Sequence, residues 1–274
     1  SGSKTRRTIM DNQKPELSII LPAIRVEKWD HLYDTICAST SRSFELIICG
    51  PYALTEKLQT ARNVKYVKDF GSPTRASAIA MMLAEGKLIT WICDDAVLLP
   101  GALDAAIDEL YAMGDDTKNV VLTKYLEGMN GTQKVNQPDY YYLINGREGF
   151  RPCTYSPHLP DDWLIFNTAI MYRSFFEELG GLDCNYEHAA MADTDFAIRA
   201  QMMGANVHLT QVTLYDCDHG QDDHKPIEIA QLQFDEPRIQ AKYRNLEWRA
   251  TLQTVISADN WKNFPTIWSR RFGQ

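Results

Sequence analysis

The sequence lacks several features that would place the protein in a membrane, in an oxidising compartment or on a polyanion. No apolar run approaches the roughly 20 residues that cross a bilayer, and no signal-peptide core follows the basic N-terminus. Six scattered cysteines show no paired short spacing, which predicts reduced thiols rather than a zinc site. The 28 Lys and Arg residues are outnumbered by 36 Asp and Glu residues, and this disfavours nucleic acid. We therefore expect a soluble cytoplasmic protein.

The amino-acid composition is typical of one continuous globular unit. Apolar residues make up 45% and charged residues 23% of the 274 residues, and no Ser/Gly/Pro-rich linker divides them. We expect residues 1–9 to be an expression-tag remnant and residues 10–224 to form the main domain. Residues 225–274 are predicted to be a C-terminal helical extension.

The order of the predicted elements indicates an α/β fold with a mostly parallel central sheet flanked by helices. Short β-rich runs alternate with helical patterns, as in strands joined by crossover helices. The predicted strands cover residues 17–21, 45–49, 64–67, 88–93, 120–123, 168–172 and 212–215. Helices are predicted from Ser72-Pro73-Thr74 to Gly86, from Pro100-Gly101 to Gly114, and over residues 174–179 and 189–203. Residues 127–162 are predicted to be largely irregular.

Two adjacent carboxylates, Asp94 and Asp95, follow the apolar strand 88–93 directly. Open parallel sheets bind their ligands beyond the carboxyl ends of the strands, so these residues are candidates for a site. Two buried negative charges are costly without a cation, and Mg²⁺ or Mn²⁺ prefers carboxylate and phosphate oxygens. The alternative is that both residues cap a turn and the following helix. This segment alone leaves both interpretations open.

A second pair of carboxylates, Asp193 and Asp195, lies on the predicted helix 189–203. Asp195 stands four residues before Arg199, which predicts an ion pair along the helix. Asp193 has Ala197 at that spacing, so it is a candidate for a general base facing a substrate. It could instead be an acid near a helix N-terminus, stabilised by the helix dipole.

Histidine and aromatic residues supply two weaker candidates. His219 follows the late strand 212–215, where a neutral imidazole is either a metal ligand or a structural side chain. Trp163 and the run Tyr140-Tyr141-Tyr142 either form a stacking wall for a sugar ring or pack within the protein.

In their order along the chain, these motifs resemble the GT-A glycosyltransferases of family 2, from about Leu17 to His219. Cys93-Asp94-Asp95 is similar to the family's Asp-x-Asp motif, with Pro100 five residues later. The other matching segments are Leu17-Ser18-Ile19-Ile20-Leu21-Pro22, Thr74-Arg75-Ala76-Ser77, Gly180-Gly181-Leu182-Asp183, Asp193, Arg199 and His219. Together, these ordered matches are more specific than any one of them.

The resemblance implies a donor-binding half over about residues 10–125 and an acceptor and catalytic half over about 126–224. It implies that Asp95 and His219 bind Mn²⁺ or Mg²⁺ and that Asp193 is the catalytic base. The implied donor contacts are Pro22, Ala23, Arg25, Asp69, Arg75 and Asp94, and the implied acceptor contacts are Gly181, Asp183 and Trp163. Asp69 has a turn role as its alternative.

The implied reaction is an inverting, metal-dependent transfer from a nucleoside-diphosphate sugar, with UDP as the expected nucleotide. The acceptor would be a hydroxyl of a saccharide, a lipid-linked sugar, a protein or a modified nucleobase. Cys93, Ala192 and Cys49-Gly50-Pro51 depart from the family's acidic positions. A nucleotidyltransferase, a sugar-nucleotide hydrolase and an inactive nucleotide-sugar-binding module therefore stay open as alternatives.

Overall fold

A β-sheet forms the centre of the computed structural model, which describes residues 14–129, 143–144, 147–148, 153, 159–160, 162–219 and 231–243. The strands are β1 (Leu17–Pro22), β2 (Phe44–Gly50), β3 (Val64–Lys68), β4 (Leu88–Trp91), β5 (Ala96–Leu98), β6 (Asn119–Met129), β7 (Leu143–Ile144), β8 (Arg147–Glu148), β9 (Ala169–Tyr172) and β10 (Asn206–His219). Eight of them form one sheet in the order β3-β2-β1-β4-β9-β6-β10-β5, and β7 pairs with β8 separately.

Most strands of the large sheet run in the same direction. β3, β2, β1 and β4 are mutually parallel, and β6 is parallel to β10. β9 is antiparallel to both β4 and β6, and β5 is antiparallel to β10 at the edge. The predicted mostly parallel sheet with flanking helices is therefore confirmed.

Helices connect the strands and cover both faces of the sheet. They are α1 (Val26–Ser39), α2 (Glu56–Thr60), α3 (Pro73–Met81), α4 (Ala102–Ala112), α5 (Arg173–Glu178), α6 (Ala189–Met202) and α7 (Glu236–Lys242), the last preceded by a π-helical turn, Gln231–Asp235. α3 begins where the Ser72 hydroxyl accepts the backbone N–H of Arg75 at 3.1 Å, with Pro73 in the first turn. None of the helices in the described ranges is long and apolar enough to span a bilayer.

The core has two layers because strand side chains alternate between the two faces of the sheet. In β1, Ile20 belongs to the core layer that also contains residues of α3, α5, α6 and α7. Ile19 and Leu21 belong to the layer that contains residues of α1 and α4. Each fully buried aliphatic side chain contributes about 1.5–3 kcal/mol, so this alternation fixes the register of the central strands.

Several element boundaries differ from the sequence-based predictions. β4 ends at Trp91 because Cys93–Ala96 forms a turn, in which the Ala96 N–H donates to the Cys93 carbonyl at 3.2 Å. α3 ends at Met81 rather than near Gly86, β5 was not predicted, and β10 is much longer than residues 212–215. The proposed tag, the Tyr140–Tyr142 run and residues 244–274 lie outside the described residues.

All six cysteines are free, and Cys49, Cys153, Cys184 and Cys217 are buried. Cys93 is half-buried and Cys37 is exposed. Burial raises the pKa of the Cys49 thiol to about 12, so this thiol stays protonated.

Candidate functional site

A cavity of about 480 Å³ opens at the carboxyl ends of β1, β2 and β4. This is the edge of the sheet at which open α/β folds bind ligands. Residues predicted from the sequence that line it are Pro22, Ala23, Arg25, Asp69, Asp94, Asp95 and Asp193. The structure therefore brings the predicted donor residues other than Arg75 into one concave space with Asp193.

Asp94, in the turn after β4, forms hydrogen bonds and an ion pair with the segment that follows β1. Its Oδ2 accepts the backbone N–H groups of Ile24 at 2.7 Å and Arg25 at 2.6 Å, and lies 3.4 Å from the indole Nε1 of Trp29. Its Oδ1 is paired with the Arg25 guanidinium. These hydrogen bonds hold the Asp94 carboxylate in place, and it orders the floor of the cavity.

Asp95 is the second carboxylate of the turn and is only 4% exposed. Its Oδ2 lies 3.9 Å from Nη2 of Arg25. Carboxylate oxygens are the ligands that Mg²⁺ and Mn²⁺ prefer, so the chemistry of Asp95 fits a divalent ion. Among the described side chains, no group of three or more His, Cys, Asp and Glu could hold a metal. A bound phosphate is one source of the further oxygens that a metal beside Asp95 would need.

The turn contains a thiol where the family resemblance places its first carboxylate. A hydrogen bond with the Cys217 thiol and burial hold the pKa of Cys93 well above its usual range. Cys217 lies on β10, opposite Ala96 of β5. Cys93 is therefore neutral, and the acidic charge of the motif resides on Asp94 and Asp95.

Asp193 reaches the cavity from α6. His188 caps the start of the helix, and its Nδ1 accepts the backbone N–H of Ala190 at 3.1 Å. Asp193 lies in the following turn and is 7% exposed. Asp195, two residues later, is fully buried and pairs with Arg199 at 2.9 Å, which confirms the predicted ion pair.

Asp69 combines a turn role with a place in the cavity wall. Its Oδ2 accepts the backbone N–H of Gly71 at 2.8 Å, as in an Asx turn. Both carboxylate oxygens also accept Nε of Arg75, at 3.0 and 3.1 Å. Arg75 is not part of the cavity lining, so its contact with a donor diphosphate stays a prediction.

The predicted acceptor residues Gly181, Asp183 and Trp163 lie outside the cavity lining. Leu182, which stands between Gly181 and Asp183, is part of the lining. The Gly181 carbonyl accepts Nη2 of Arg199 at 2.7 Å, and Asp183 accepts the backbone N–H of Asn185 at 2.9 Å. Trp163 packs against the hydrophobic core. Their acceptor role stays a prediction that this geometry does not support.

His219 is the last residue of β10, where it is paired in register with Met129 of β6. Its side chain lies outside the part of the structure that is described. The proposed metal contact of His219 therefore stays a prediction.

Several cavity residues were not predicted from the sequence. The rings of Tyr125 and Tyr215 lie 5.3 Å apart, and the Tyr125 hydroxyl accepts Nδ2 of Asn167 at 3.1 Å. Trp91 and His188 also line the cavity. Tyr215 and Trp91 stand at or near the ends of predicted strands, so the reasoning applied to Asp94 would also have selected them.

Comparisons with known proteins identify the fold. No protein-family model and no curated sequence matches the chain. Its structure is similar to S. aureus TarS 1–349, with a TM-score of 0.53, 16% identity, and coverage of 90% of this chain and 71% of that chain. It is also similar to the same protein in complex with UDP, with a TM-score of 0.54, 16% identity, and coverage of 88% of this chain and 69% of that chain. A third similar structure is the mannosyltransferase PcManGT from Pyrobaculum calidifontis in complex with GDP-Man and Mn²⁺, with a TM-score of 0.57, 15% identity, and coverage of 91% of this chain and 74% of that chain. The chain thus has the GT-A glycosyltransferase fold.

Proposed function

We propose that the protein is an inverting glycosyltransferase that moves a sugar from a nucleoside-diphosphate sugar to a hydroxyl acceptor. The observation that carries this proposal is that Asp193 lines the same cavity as Asp94 and Asp95. A candidate base and a candidate diphosphate-binding turn thus border one space. The similar structures of TarS with UDP and PcManGT with GDP-Man support the same ligand class.

The donor diphosphate is proposed to lie beside the turn Cys93–Ala96. Mn²⁺ or Mg²⁺ would be held there by Asp95 and diphosphate oxygens, with His219 as a further proposed ligand. When bound, the metal neutralises negative charge that develops on the departing nucleoside diphosphate. Asp94 holds the backbone of Ile24 and Arg25 in place through its hydrogen bonds, and this shapes the donor-binding floor.

Asp193 is proposed to remove the proton from the acceptor hydroxyl. The acceptor oxygen then forms a bond to the anomeric carbon as the bond between that carbon and the diphosphate oxygen breaks. The electron pair of the broken bond leaves with the nucleoside diphosphate. Attack from the face opposite the leaving group inverts the anomeric configuration, and a base on that side needs direct reach to the hydroxyl.

The variant Asp193→Asn tests the assignment of the base. We expect transfer to fall by about 10²-fold or more, because an amide cannot accept the proton in this step. Binding of UDP or GDP with Mn²⁺, measured by isothermal titration calorimetry, should stay close to the wild-type value. Asp104→Asn, which alters a carboxylate at the start of α4 outside the cavity, is the matched control and should retain turnover. Undiminished turnover of Asp193→Asn would rule out this base.

Product analysis separates transfer from the alternative reactions. A glycosyltransferase releases nucleoside diphosphate in an acceptor-dependent manner, whereas a nucleotidyltransferase releases pyrophosphate. A hydrolase releases free sugar without any acceptor. Binding of a nucleotide sugar without turnover of any acceptor tested would favour an inactive binding module.

The nucleotide and the acceptor are proposed only as classes. UDP is the proposed nucleotide on the family resemblance, and GDP is the second to test because PcManGT was solved with GDP-Man. The acceptor hydroxyl belongs to a saccharide, a lipid-linked sugar, a protein or a modified nucleobase. A panel of nucleotide sugars, each tested with these acceptor classes, distinguishes them.

A further inference from the structure

The cationic side chain of Arg25 lies between the two carboxylates of the acidic turn. Its Nη1 is paired with Oδ1 of Asp94, and its Nη2 lies 3.9 Å from Oδ2 of Asp95. The side chain of Arg25 is 15% exposed, whereas those of Asp94 and Asp95 are 2% and 1% exposed. A planar guanidinium suits this position because its fork can face two carboxylates at once.

Asp94 is poorly suited to bind a divalent ion in this arrangement. Oδ2 of Asp94 already accepts two backbone N–H groups, and Oδ1 faces the guanidinium. A metal contact on Oδ2 would have to replace one of these hydrogen bonds, and a metal contact on Oδ1 would lie against Arg25. An ion at either carboxylate is therefore placed directly beside the positive charge of Arg25, and we assign the metal contact to Asp95.

Arg25 and a divalent ion would compete for the same carboxylate. An ion bound to Oδ2 of Asp95 at about 2 Å would lie within about 6 Å of the Arg25 nitrogen. Two cations at such a separation repel each other, and in a largely buried site solvent screens this repulsion only weakly. A nucleoside diphosphate brings negative charge that offsets both cations.

We propose that Arg25 is the resident cation of the acidic turn, and that it makes divalent-metal binding depend on a nucleoside diphosphate. Without nucleotide, the guanidinium neutralises the carboxylate pair and disfavours binding of the metal. With nucleotide, the negative charge of the diphosphate would offset the charges of both the metal and the guanidinium. This inference rests on the proposed function and adds a specific role for a residue that faces the donor.

The coupling between binding of the metal and binding of the nucleotide can be measured, because thermodynamic linkage makes it reciprocal. If nucleotide raises the affinity for the metal by some factor, the metal raises the affinity for the nucleotide by the same factor. Removing the resident cation should raise the affinity for the metal alone. It should also reduce the coupling between the two ligands, because the metal no longer needs the diphosphate to offset the guanidinium.

The experiment titrates MnCl₂ alone into wild type and Arg25→Gln, with free Mn²⁺ followed by its electron paramagnetic resonance signal. We expect Arg25→Gln to bind Mn²⁺ roughly tenfold tighter or more than wild type. Adding UDP or GDP should then tighten Mn²⁺ binding by a larger factor in wild type than in the variant. Arg42→Gln is the matched control, because Arg42 also bridges carboxylates, those of Glu16 and Asp108, away from the cavity. Its affinity for Mn²⁺ should equal that of wild type.

Equal Mn²⁺ affinities in folded wild type and Arg25→Gln would overturn the inference, as would tight Mn²⁺ binding by wild type without nucleotide. Circular dichroism establishes that the variant is folded. If Arg25→Gln does not fold, Arg25→Lys carries the test, because a single ammonium cannot bridge both carboxylates. That variant should bind Mn²⁺ about threefold tighter or more than wild type, and an unchanged affinity would overturn the inference. Titration with Mn²⁺ alone needs neither turnover nor nucleotide. Failure to bind UDP or GDP would therefore count against the proposed function, whereas the titration with Mn²⁺ alone still tests the competition between Arg25 and the metal.

Discussion

Two carboxylates on one helix, Asp193 and Asp195, have different environments although only one residue separates them. Asp193 lines the cavity, whereas Asp195 is buried among charged and polar partners. Asp195 accepts Nε of Arg199 at 2.9 Å and the Tyr243 hydroxyl at 2.6 Å, and it also pairs with Lys242. Residues two apart on a helix point in different directions, so one side chain can face a substrate while the other anchors the helix.

Removing one cation from the buried network should destabilise the protein strongly. We expect Arg199→Met to lower the free energy of unfolding by about 3–5 kcal/mol, because Asp195 loses a buried partner and the Leu179 and Gly181 carbonyls each lose a donor. Chemical denaturation measures this. Lys57→Met is the control, because its pair with Asp34 is exposed and contributes less than about 1 kcal/mol. Equal losses in the two variants would contradict this account.

The difference in unfolding free energy between wild type and Arg199→Met should depend on pH with a defined sign. Burial opposes ionisation of Asp195, but Lys242 and Arg199 outweigh it, so the pKa of Asp195 is lowered in the folded protein. A lowered pKa stabilises the fold above the unfolded value of about 3.9, and the stabilisation is lost as the pH falls through the folded pKa. The gap in unfolding free energy between wild type and Arg199→Met should therefore shrink below about pH 4. A gap that stays constant between pH 6 and pH 3 would show that charge pairing is not its source.

The residue scale also shows where sequence reasoning was sufficient and where it was not. The acidic pair Asp94-Asp95 was placed correctly at a strand end because an apolar run precedes it. The Asp195–Arg199 pair followed from helical spacing alone. The contact between Arg25 and Asp94 depends on the pairing of β1 with β4 across 69 residues, and no local pattern carries that information.

At the scale of elements, the described C-terminal segment, Gln231–Lys242, is docked on the helix that carries the proposed base. The Asp235 carboxylate accepts the backbone N–H groups of Glu187, at 3.0 and 3.1 Å, and of His188, at 2.7 Å. Lys242 at the other end of α7 pairs with Asp195 in α6. The segment therefore contacts both the approach to α6 and its middle.

Truncating Asp235 should loosen the approach to α6. In Asp235→Ala, the amides of Glu187 and His188 lose their buried acceptor, and leaving them unsatisfied costs about 1–3 kcal/mol. We expect hydrogen exchange at these two amides to accelerate, as measured by nuclear magnetic resonance or mass spectrometry. Asp104→Ala is a matched control, because Asp104 accepts the Ser41 N–H at 2.9 Å on the other layer. Exchange should then accelerate at Ser41 and stay unchanged at Glu187 and His188.

The strands and helices that were predicted well share a continuous local signal. β1, β2 and β4 are short apolar runs, and α3 has a capping serine followed by proline. β5 is only three residues long, and β10 contains His208, Thr210 and Gln211, which interrupt its apolar pattern. These strands form because backbone hydrogen bonds to neighbouring strands compensate for weak local preference. The docking of α7 likewise depends on the distant Asp195, so sequence pattern alone could not predict it.

At the scale of the whole molecule, the sheet order explains why the site is assembled from distant parts of the sequence. β1 lies between β2 and β4, so the segments after these strands meet at one edge. α6, on the layer that also contains α3, adds Asp193 to the same cavity. Residues before position 100 thus supply the donor-binding floor, and residues after position 180 supply the base. The bounds of the donor and acceptor halves, about 10–125 and 126–224, stay predictions.

Ligand binding at this edge should stabilise the fold as a whole, because β1, β2, β4 and α6 all border the cavity. A nucleoside diphosphate at about 100 times its dissociation constant contributes about 2.7 kcal/mol. For a chain of this size that corresponds to a rise in Tm of about 5–10 °C. Thermal unfolding with UDP, GDP and their sugar conjugates, each with and without Mn²⁺, measures the effect and ranks the nucleotides. Mn²⁺ alone should not raise Tm, since Arg25 is proposed to disfavour the metal without nucleotide. A panel in which no nucleotide raises Tm would contradict the proposed donor site, whereas a rise with Mn²⁺ alone would contradict the proposed role of Arg25.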